Sequence, residues 1–143
     1  MKSSGYIAYK TANVETADQG RLILIAYDVA IKHCKISLDQ FGNFKVIEER
    51  TKHICKAQDA VTELMGALRM DVGEIARNLY RLYDYILRRL VEANIKNDRG
   101  RVEEVLKYLE DLREAWSQAI ANLRKEKAVA EAEPVLQSLS ITG

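Results

Sequence analysis

The sequence predicts an all-α fold, an antiparallel up-down bundle of four long helices that follows an extended N-terminal segment. Apolar residues recur at three- and four-residue steps through four stretches of the chain, which is the period of a helix with one buried face. The 143 residues include one Pro and seven Gly, too few turn-forming residues for a many-stranded β-protein. Short connections join the four stretches, so each helix is expected to run antiparallel to the preceding one.

The N-terminal segment and the first helix differ sharply in pattern. Residues 1–15 have no helical period. Thr16 and Gln19 predict a capping box at the start of the first helix. Two apolar stripes follow along this helix: Leu22, Ile25, Ala26, Val29 and Ile36 form one, and Ile23, Tyr27, Ala30, Cys34 and Phe41 form the other. Such a wide apolar face is expected of a helix that packs against more than one neighbour.

The second and third helices are predicted from single stripes. The second runs from about Phe44 to Met70, after a break at Gly42 and Asn43, and its apolar positions are Ile47, Ile54, Ala57, Val61, Leu64, Met65 and Leu68. Asp71 and Glu74 predict a second capping box, at the start of the third helix. The apolar positions of the third helix are Ile75, Leu79, Leu82, Tyr83, Ile86, Leu90 and Ala93, and its pattern ends near Asn94.

The fourth helix follows a turn predicted at 96–100. Its apolar positions are Val102, Val105, Leu106, Leu109, Leu112, Trp116, Ile120 and Leu123. The pattern fades through 124–133, and the helix is expected to stop at Pro134, since Pro lacks the backbone N–H that a helix interior needs. The domain division is therefore an N-terminal segment at 1–15, a bundle at 16–133 and a flexible tail at 134–143.

Composition excludes several classes of protein. Lys plus Arg number 22 and Asp plus Glu number 21, so the chain has no overall field to attract nucleic acid. No run of about 20 apolar residues predicts a membrane span, and the first 15 residues lack the apolar core of a secretion signal. Cys34 and Cys55 stand among core-type neighbours, and the absence of a secretion signal favours two buried free thiols in a reducing cytoplasm over the alternative of a disulfide between them. The expected localisation is cytoplasmic.

Motifs for chemistry are missing, so an enzyme is not expected and neither is a cofactor or a metal. A di-iron bundle needs Glu-x-x-His pairs, but Ala30 and Arg50 stand three places before His33 and His53. No nucleophile–base pair or phosphate-binding Gly-rich loop occurs. A histidine-phosphotransfer bundle, which would use an exposed His33 or His53, stays open as an alternative, as does a structural bundle.

Two regions suggest a binding surface for another polypeptide. Tyr6, Ile7 and Tyr9 either close one end of a groove permanently or cover a groove until a partner displaces them. In the second helix, a narrow stripe of small and medium residues at 57, 61 and 64 is flanked by polar ones. Small side chains allow another helix to come close, but a simple core explains the stripe equally well.

The third helix contains three closely spaced tyrosines. Tyr80, Tyr83 and Tyr85 cannot all face one core, so at least one ring is expected to be partly exposed. Tyr is enriched at interfaces because it combines an apolar body with a polar tip.

Four ordered segments resemble the family of the flagellar export chaperone FliS. They are Tyr-Ile-Ala-Tyr at 6–9 with Val-Glu-Thr-Ala at 14–17 leading into 22–28, then 56–64, 79–86 followed by Leu90 and 93–94, and Leu-Arg-Glu-Ala-Trp at 112–116. The resemblance covers roughly residues 5–123. The chain departs from the family at 18–21, where Asp-Gln-Gly-Arg stands in place of a Ser-Pro-Glu-Glu-like opening.

The resemblance implies a bacterial cytoplasmic chaperone without cofactor or reaction. Its partner would be the C-terminal segment of flagellin, which is disordered when free and partly helical when bound. Binding would block premature filament assembly and keep flagellin ready for type III export, and the N-terminal tyrosine segment would be displaced or remodelled. The flagellar export gate and a second copy of the chain are further candidate partners.

The residues expected to bind the partner lie in three places. They are Tyr6, Ile7, Tyr9, Ala57, Gln58, Val61, Leu64, Leu68 and Tyr83. This hypothesis predicts that Tyr9, Ala57, Val61 and Leu64 lie along one accessible groove.

Overall fold

The structure, a computed structural model, describes residues 17–142. It contains four α-helices, α1 (Ala17–Leu38), α2 (Ile47–Gly66), α3 (Glu74–Ile95) and α4 (Arg99–Thr142). Each helix packs against the next in chain order, and α4 closes the ring by packing against α1. The predicted all-α bundle is confirmed.

The first residues of the chain carry predictions that the structure does not reach. The N-terminal segment with Tyr6, Ile7 and Tyr9 lies outside the described residues, and so does Thr16 of the first predicted capping box.

The core forms from the stripes that the sequence predicted for α2, α3 and α4, together with one of the two stripes on α1. The side chains with at most 1% exposure include Tyr27, Ala30 and Cys34 of α1, Ile54, Ala57 and Val61 of α2, Tyr83, Ile86, Leu90 and Ala93 of α3, and Val102, Val105 and Leu109 of α4. A buried Val, Ile or Leu side chain, such as Val61, Ile86 or Leu90, stabilises the fold by roughly 1.5–3 kcal/mol. The stripe of α1 that contains Tyr27, Ala30 and Cys34 therefore holds the first helix in the bundle.

A polar contact lies inside this core. The hydroxyls of Tyr27 and Tyr83 are hydrogen-bonded to each other, and their ring centroids are 6.4 Å apart. Burial raises the pKa of both hydroxyls, that of Tyr83 to about 12, while hydrogen bonding from Trp116 partly offsets the rise. The contact joins α1 to α3 across the bundle and satisfies two polar groups that would be costly to bury alone.

The connection from α1 to α2 is longer than predicted, from the end of α1 at Leu38 to the start of α2 at Ile47. Gly42 has a φ of 83°, a left-handed conformation that favours glycine. Asn43 caps a short 3₁₀ turn at Phe44–Val46 by accepting a hydrogen bond from the backbone N of Lys45 at 3.0 Å. The α-helix therefore begins at Ile47 and not at Phe44.

The connection from α2 to α3 contradicts the second capping box. α2 ends at Gly66, and Asp71 lies in a 3₁₀ turn at Met70–Val72. Its carboxylate accepts a hydrogen bond from Arg69 at 3.2 Å. The residue that precedes α3 is Gly73, which has a φ of 123° and no side chain to cap with. The capping-box prediction is wrong because the backbone turns at glycine before the helix begins.

The connection from α3 to α4 is a left-handed turn at Asn97, which has a φ of 52°. The backbone N of Asp98 donates to the carbonyl of Ala93 at 2.9 Å, and that of Lys96 donates to Glu92 at 2.8 Å. These bonds satisfy the last carbonyls of α3. α4 then begins at Arg99, slightly earlier than the predicted turn allowed.

A buried arginine ties α2 to this turn. Arg50 is 3% exposed. Its guanidinium donates to the side chain and the backbone carbonyl of Asn94, each at 3.2 Å, and also to the side chain of Asn97. The guanidinium carbon lies 4.5 Å from the ring centroid of Phe41. The charge is thus enclosed by hydrogen bonds and an aromatic face, as a buried cation requires.

The fourth helix does not stop at Pro134, so that prediction is wrong. α4 continues to Thr142 with Pro134 inside it. Side chains from Lys127 onward are exposed wherever the structure describes them. Water can therefore hydrate the carbonyl of Ala130 that the missing proline N–H leaves unpaired, which reduces the cost of the proline.

One thiol is placed differently from the prediction. Both cysteines are free and Cys34 is buried, but Cys55 is exposed. Cys55 follows Ile54, which is directed into the core, and the next helical position turns to solvent.

No helix in the described range 17–142 is both long and apolar enough to cross a membrane.

Candidate partner-binding groove

Three residues of the first-described apolar stripe of α1 are exposed. Leu22, Ile25 and Val29 are 64%, 44% and 38% exposed. They border a hollow of about 510 Å³ between α1 and α2, which we call the α1–α2 groove. Its lining consists of Leu22, Ile23, Ile25, Ala26, Val29 and His33 from α1, and Lys56, Asp59, Ala60, Glu63, Leu64 and Ala67 from the α2 side.

Small residues explain why a hollow forms here. Ala26 of α1 lies at the bottom of the groove, and Ala60 and Ala67 line the opposite wall. These side chains are too short to fill the space between the outer edges of the two helices. Such an open apolar furrow can accept the apolar face of an added helix, with side chains spaced three and four residues apart.

Charged groups edge the groove on the α2 side. Lys56, Asp59 and Glu63 line it together with the apolar residues, and all three are exposed. An apolar floor with a polar rim is the usual arrangement of an interface that excludes water at its centre. Since the rim carries both signs of charge, it would orient a partner more than attract it.

The two histidines meet at one end of the groove. The Nδ1 atoms of His33 on α1 and His53 on α2 are 2.8 Å apart. The rings are stacked, with centroids 5.1 Å apart and an angle of 21° between their planes. Both side chains are half-buried, and the Nδ1 atom of each is engaged by the other ring. Spacing alone did not predict this contact, because the residues lie 20 positions apart on different helices.

The stripe predicted on α2 lies mostly in the core. Ala57 and Val61 have 0% exposure, so the prediction of an accessible groove along Ala57, Val61 and Leu64 is wrong for the first two. The reason is that this face of α2 is directed at the centre of the ring and not at its rim. Leu64 is 2% exposed and lines the α1–α2 groove.

The remaining predicted residues are divided between core and surface. Tyr83 is 1% exposed in the core, whereas Tyr80 and Tyr85 are 43% and 38% exposed, which confirms that the three rings cannot share one core. Gln58 and Leu68 are half-buried, and neither lines the α1–α2 groove. The assignment of all these residues as partner contacts stays a prediction.

Helical periodicity alone does not distinguish Leu22, Ile25 and Val29 from core positions. It predicts that both stripes of α1 pack against neighbouring helices. The signal that could have separated the two stripes is side-chain size on the facing helix, where alanines at 60 and 67 leave the outer stripe without a partner.

The described residues offer no obvious site for chemistry. Among residues 17–142, no group of three or more His, Cys, Asp or Glu is placed to hold a metal ion. The polar side chains of the groove are spread along its edge. What this surface can do is bind an apolar segment of polypeptide.

Comparison with known proteins identifies the relatives of this chain. The family model described as flagellar protein FliS matches residues 2–139. The chain belongs to the FliS family. It is 54% identical over 123 residues to the flagellar secretion chaperone FliS of Salmonella typhimurium, covering 81% of this chain and 90% of that protein. It is also 38% identical over 122 residues to the flagellar secretion chaperone FliS of Bacillus subtilis, covering 85% and 90%.

The FliS match takes in both the N-terminal segment and the helices. It begins at residue 2, before the tyrosines at 6 and 9, and ends at residue 139, five residues past Pro134. The resemblance drawn from four segments at roughly 5–123 is therefore confirmed and extended. This is a family of flagellar secretion chaperones.

Proposed function

We propose that this chain is a cytoplasmic export chaperone that binds the C-terminal segment of flagellin. Binding prevents premature polymerisation and keeps flagellin competent for flagellar type III secretion. The role requires no reaction and no cofactor. Membership of the FliS family supports the chaperone role. The position proposed for the binding site is supported by the exposed side chains of Leu22, Ile25 and Val29 beside the α1–α2 groove.

The physics of coupled folding and binding favours such a surface. A segment that is disordered when free loses conformational entropy as it folds, and apolar burial must offset that loss. The α1–α2 groove is too small to do so alone, because coupled folding buries on the order of 1,000–3,000 Å². Exposed apolar side chains on α3, namely Ile75, Tyr80, Val91 and Ile95, give a wrapping segment further surface to cover.

The N-terminal segment is proposed to cover the α1–α2 groove in the absence of flagellin. Its 15 residues span up to about 50 Å when extended, and the groove from Leu22 to His33 is about 17 Å long at the helical rise. The segment joins α1 five residues before Leu22, beside one end of the groove. Tyr6, Ile7 and Tyr9 would occupy it until flagellin displaces them.

The test is a titration of the chain against a fluorescently labelled peptide of the flagellin C-terminal segment. Val29→Asp places a carboxylate on the wall of the α1–α2 groove. A fully buried valine contributes roughly 1.5–3 kcal/mol, so affinity should fall at least about tenfold. Circular dichroism and thermal unfolding should stay as in the wild type, since Val29 is 38% exposed.

The matched control is Val129→Asp on α4, because Val129 is 68% exposed and does not line the groove. Its affinity should stay within about threefold of the wild type. Equal affinity of Val29→Asp and the wild type would contradict the groove assignment. Val61→Asp is unsuitable for this purpose, because a charge at that fully buried position would unfold the bundle.

Light scattering of the same samples separates the chaperone from a structural oligomer. A monomer that forms a one-to-one complex with the peptide supports the proposal. A dimer that Val29→Asp dissociates and that the peptide leaves intact would assign the groove to a second copy of the chain.

The flagellar export gate is the second proposed partner. A pull-down of the export gate by the flagellin-loaded and the empty chaperone tests this interaction.

A further inference from the structure

The hydrogen bond between His33 and His53 constrains their protonation. A single proton lies between the two Nδ1 atoms, which are 2.8 Å apart. One ring must therefore carry its proton on Nδ1 and donate, and the other must have a free lone pair on Nδ1 and accept. The Nδ1 of neither ring is then available to solvent.

The pair has three charge states with different consequences. With both rings neutral, the hydrogen bond forms as described. With one ring charged, the imidazolium donates to its neutral neighbour and the bond becomes stronger. With both charged, each Nδ1 carries a proton, no acceptor remains, and two like charges face each other across stacked rings 5.1 Å apart. The second proton, and not the first, breaks the contact.

The surrounding charges come from the two helices that carry the pair. Burial disfavours a proton on His33 most, and His53, Lys56 on α2 and Lys32 on α1 act in the same direction. Glu49 on α2 lies 3.8 Å from Nε2 of His53, and it is shared with Lys52 at 3.6 Å. The pair is thus mainly in cationic surroundings, with one carboxylate that stabilises a charge on the His53 side.

We propose that His33 and His53 form an acid-sensitive latch between α1 and α2, which holds one end of the groove closed until both rings are charged. The inference does not rest on flagellin binding. The latch is closed near neutral pH and opens on acidification, when α1 moves away from α2 at His33. Its sensitivity comes from the second protonation, which is a single-proton step.

Protonation of His33 makes the folded chain less stable as the pH falls. Burial and the neighbouring charges lower the pKa of His33 in the folded chain, below the usual value of about 6.5 in the unfolded chain. The stabilisation from neutral His33 is therefore complete above about pH 7 and is lost as the pH falls through the folded pKa.

Cys34 provides a built-in reporter of the latch. It follows His33 in α1 and is fully buried, whereas Cys55 on α2 is exposed. In a Cys55→Ser background, a thiol reagent that reacts in acid, such as 4,4′-dithiodipyridine, can reach Cys34 only when α1 separates from its neighbours. The labelling rate therefore measures opening at this point of the bundle.

The experiment compares two chains between pH 7.5 and pH 5. One is Cys55→Ser alone, and the other also carries His33→Gln and His53→Gln, which can hydrogen-bond but do not titrate. Dividing the two rates at each pH cancels the reagent's own pH dependence and that of the thiol. The ratio should rise at least about tenfold on acidification. A control with Glu48→Gln, which removes an exposed charge of α2 and leaves both histidines and Glu49 in place, should keep the rise.

A constant ratio over this range would overturn the latch. A second measurement does not depend on variants that fold: nitrogen-15 spectra of the two imidazoles in the wild-type chain. The latch predicts one Nδ1–H and one Nε2–H tautomer at pH 7.5, and two separate protonation steps. Two identical tautomers that titrate together near pH 6.5 would contradict it.

Discussion

The hydroxyls of Tyr27 and Tyr83 show how single residues couple the stability of this bundle to pH. Burial raises the pKa of Tyr83 to about 12 and that of Tyr27 as well, above about 10 for tyrosine in an unfolded chain. The folded state therefore retains its protons when the unfolded state loses them. The stabilisation is complete below about pH 10 and is lost as the pH rises toward 12.

We expect the free energy of unfolding to fall by a few kcal/mol between pH 9.5 and pH 11.5, measured by urea denaturation. The rise in the pKa of Tyr83 from 10 to about 12 corresponds to about 2.7 kcal/mol. In the variant Tyr27→Phe with Tyr83→Phe the fall should be smaller. Tyr80→Phe is the control, because Tyr80 is 43% exposed, and it should show the wild-type slope. Identical slopes in all three chains would mean that the buried contact does not carry the effect.

Arg50 is a second residue whose contribution to the free energy of unfolding can be measured. Its guanidinium is bonded to Asn94 and Asn97 across the α2–α3 contact, and hydrogen bonds to charged groups contribute about 1.5–3 kcal/mol each. Arg50→Met keeps the aliphatic part of the side chain but removes the donor to the part-buried carbonyl of Asn94.

The expected loss for Arg50→Met is about 2–4 kcal/mol in the free energy of unfolding, measured by chemical denaturation. Arg77→Met on the exposed face of α3 should change it by less than about 0.5 kcal/mol. A loss of similar size in both variants would point to a general effect of removing charge.

At the scale of the elements, substitutions at two glycines test how α2 ends and how α3 begins. Gly73 precedes α3 with a φ of 123°, which an L side chain rarely adopts. Gly66 closes α2 with helical geometry, and an added Cβ there would contact nothing within 4 Å. Gly73→Ala should destabilise the fold by about 1–3 kcal/mol. Gly66→Ala should stabilise it by up to about 1 kcal/mol.

Thermal unfolding followed by circular dichroism measures both variants. Opposite shifts of the midpoint are expected, upward for Gly66→Ala and downward for Gly73→Ala. If both variants shift the midpoint in the same direction, the connection between α2 and α3 does not depend on the left-handed turn at Gly73.

At the scale of the whole molecule, the proposal that residues 1–15 cover the exposed residues of α1 can be tested by deletion. Deletion of residues 1–15 should leave the bundle folded, because its core lies within α1 to α4. It should increase the binding of an apolar fluorescent dye, since the proposed cover of Tyr6, Ile7 and Tyr9 is removed. Adding Val29→Asp to the deletion should reverse the increase. Unchanged dye fluorescence after the deletion would argue against a cover.

Much of the fold could be predicted from the sequence because helical periodicity is a local property. The stripes of α3 and α4 coincide with buried positions such as Ile86 and Leu109, since each helix there has one apolar face and a polar remainder. The end of α4 could not be predicted in this way. Pro134 stops a helix in most sequences, but where every neighbouring side chain is exposed its cost can be offset by water.

The sequence by itself determined four helices, their order and, through its resemblance to FliS, the family. Only the tertiary structure decided which of the two apolar stripes on α1 faces the core, and it left Leu22, Ile25 and Val29 outside. It also placed Val61 inside and brought His33 to His53. The physical reason is that periodicity shows which residues of a helix share a face. The direction of that face depends on the size of side chains on neighbouring helices, which are distant in the sequence.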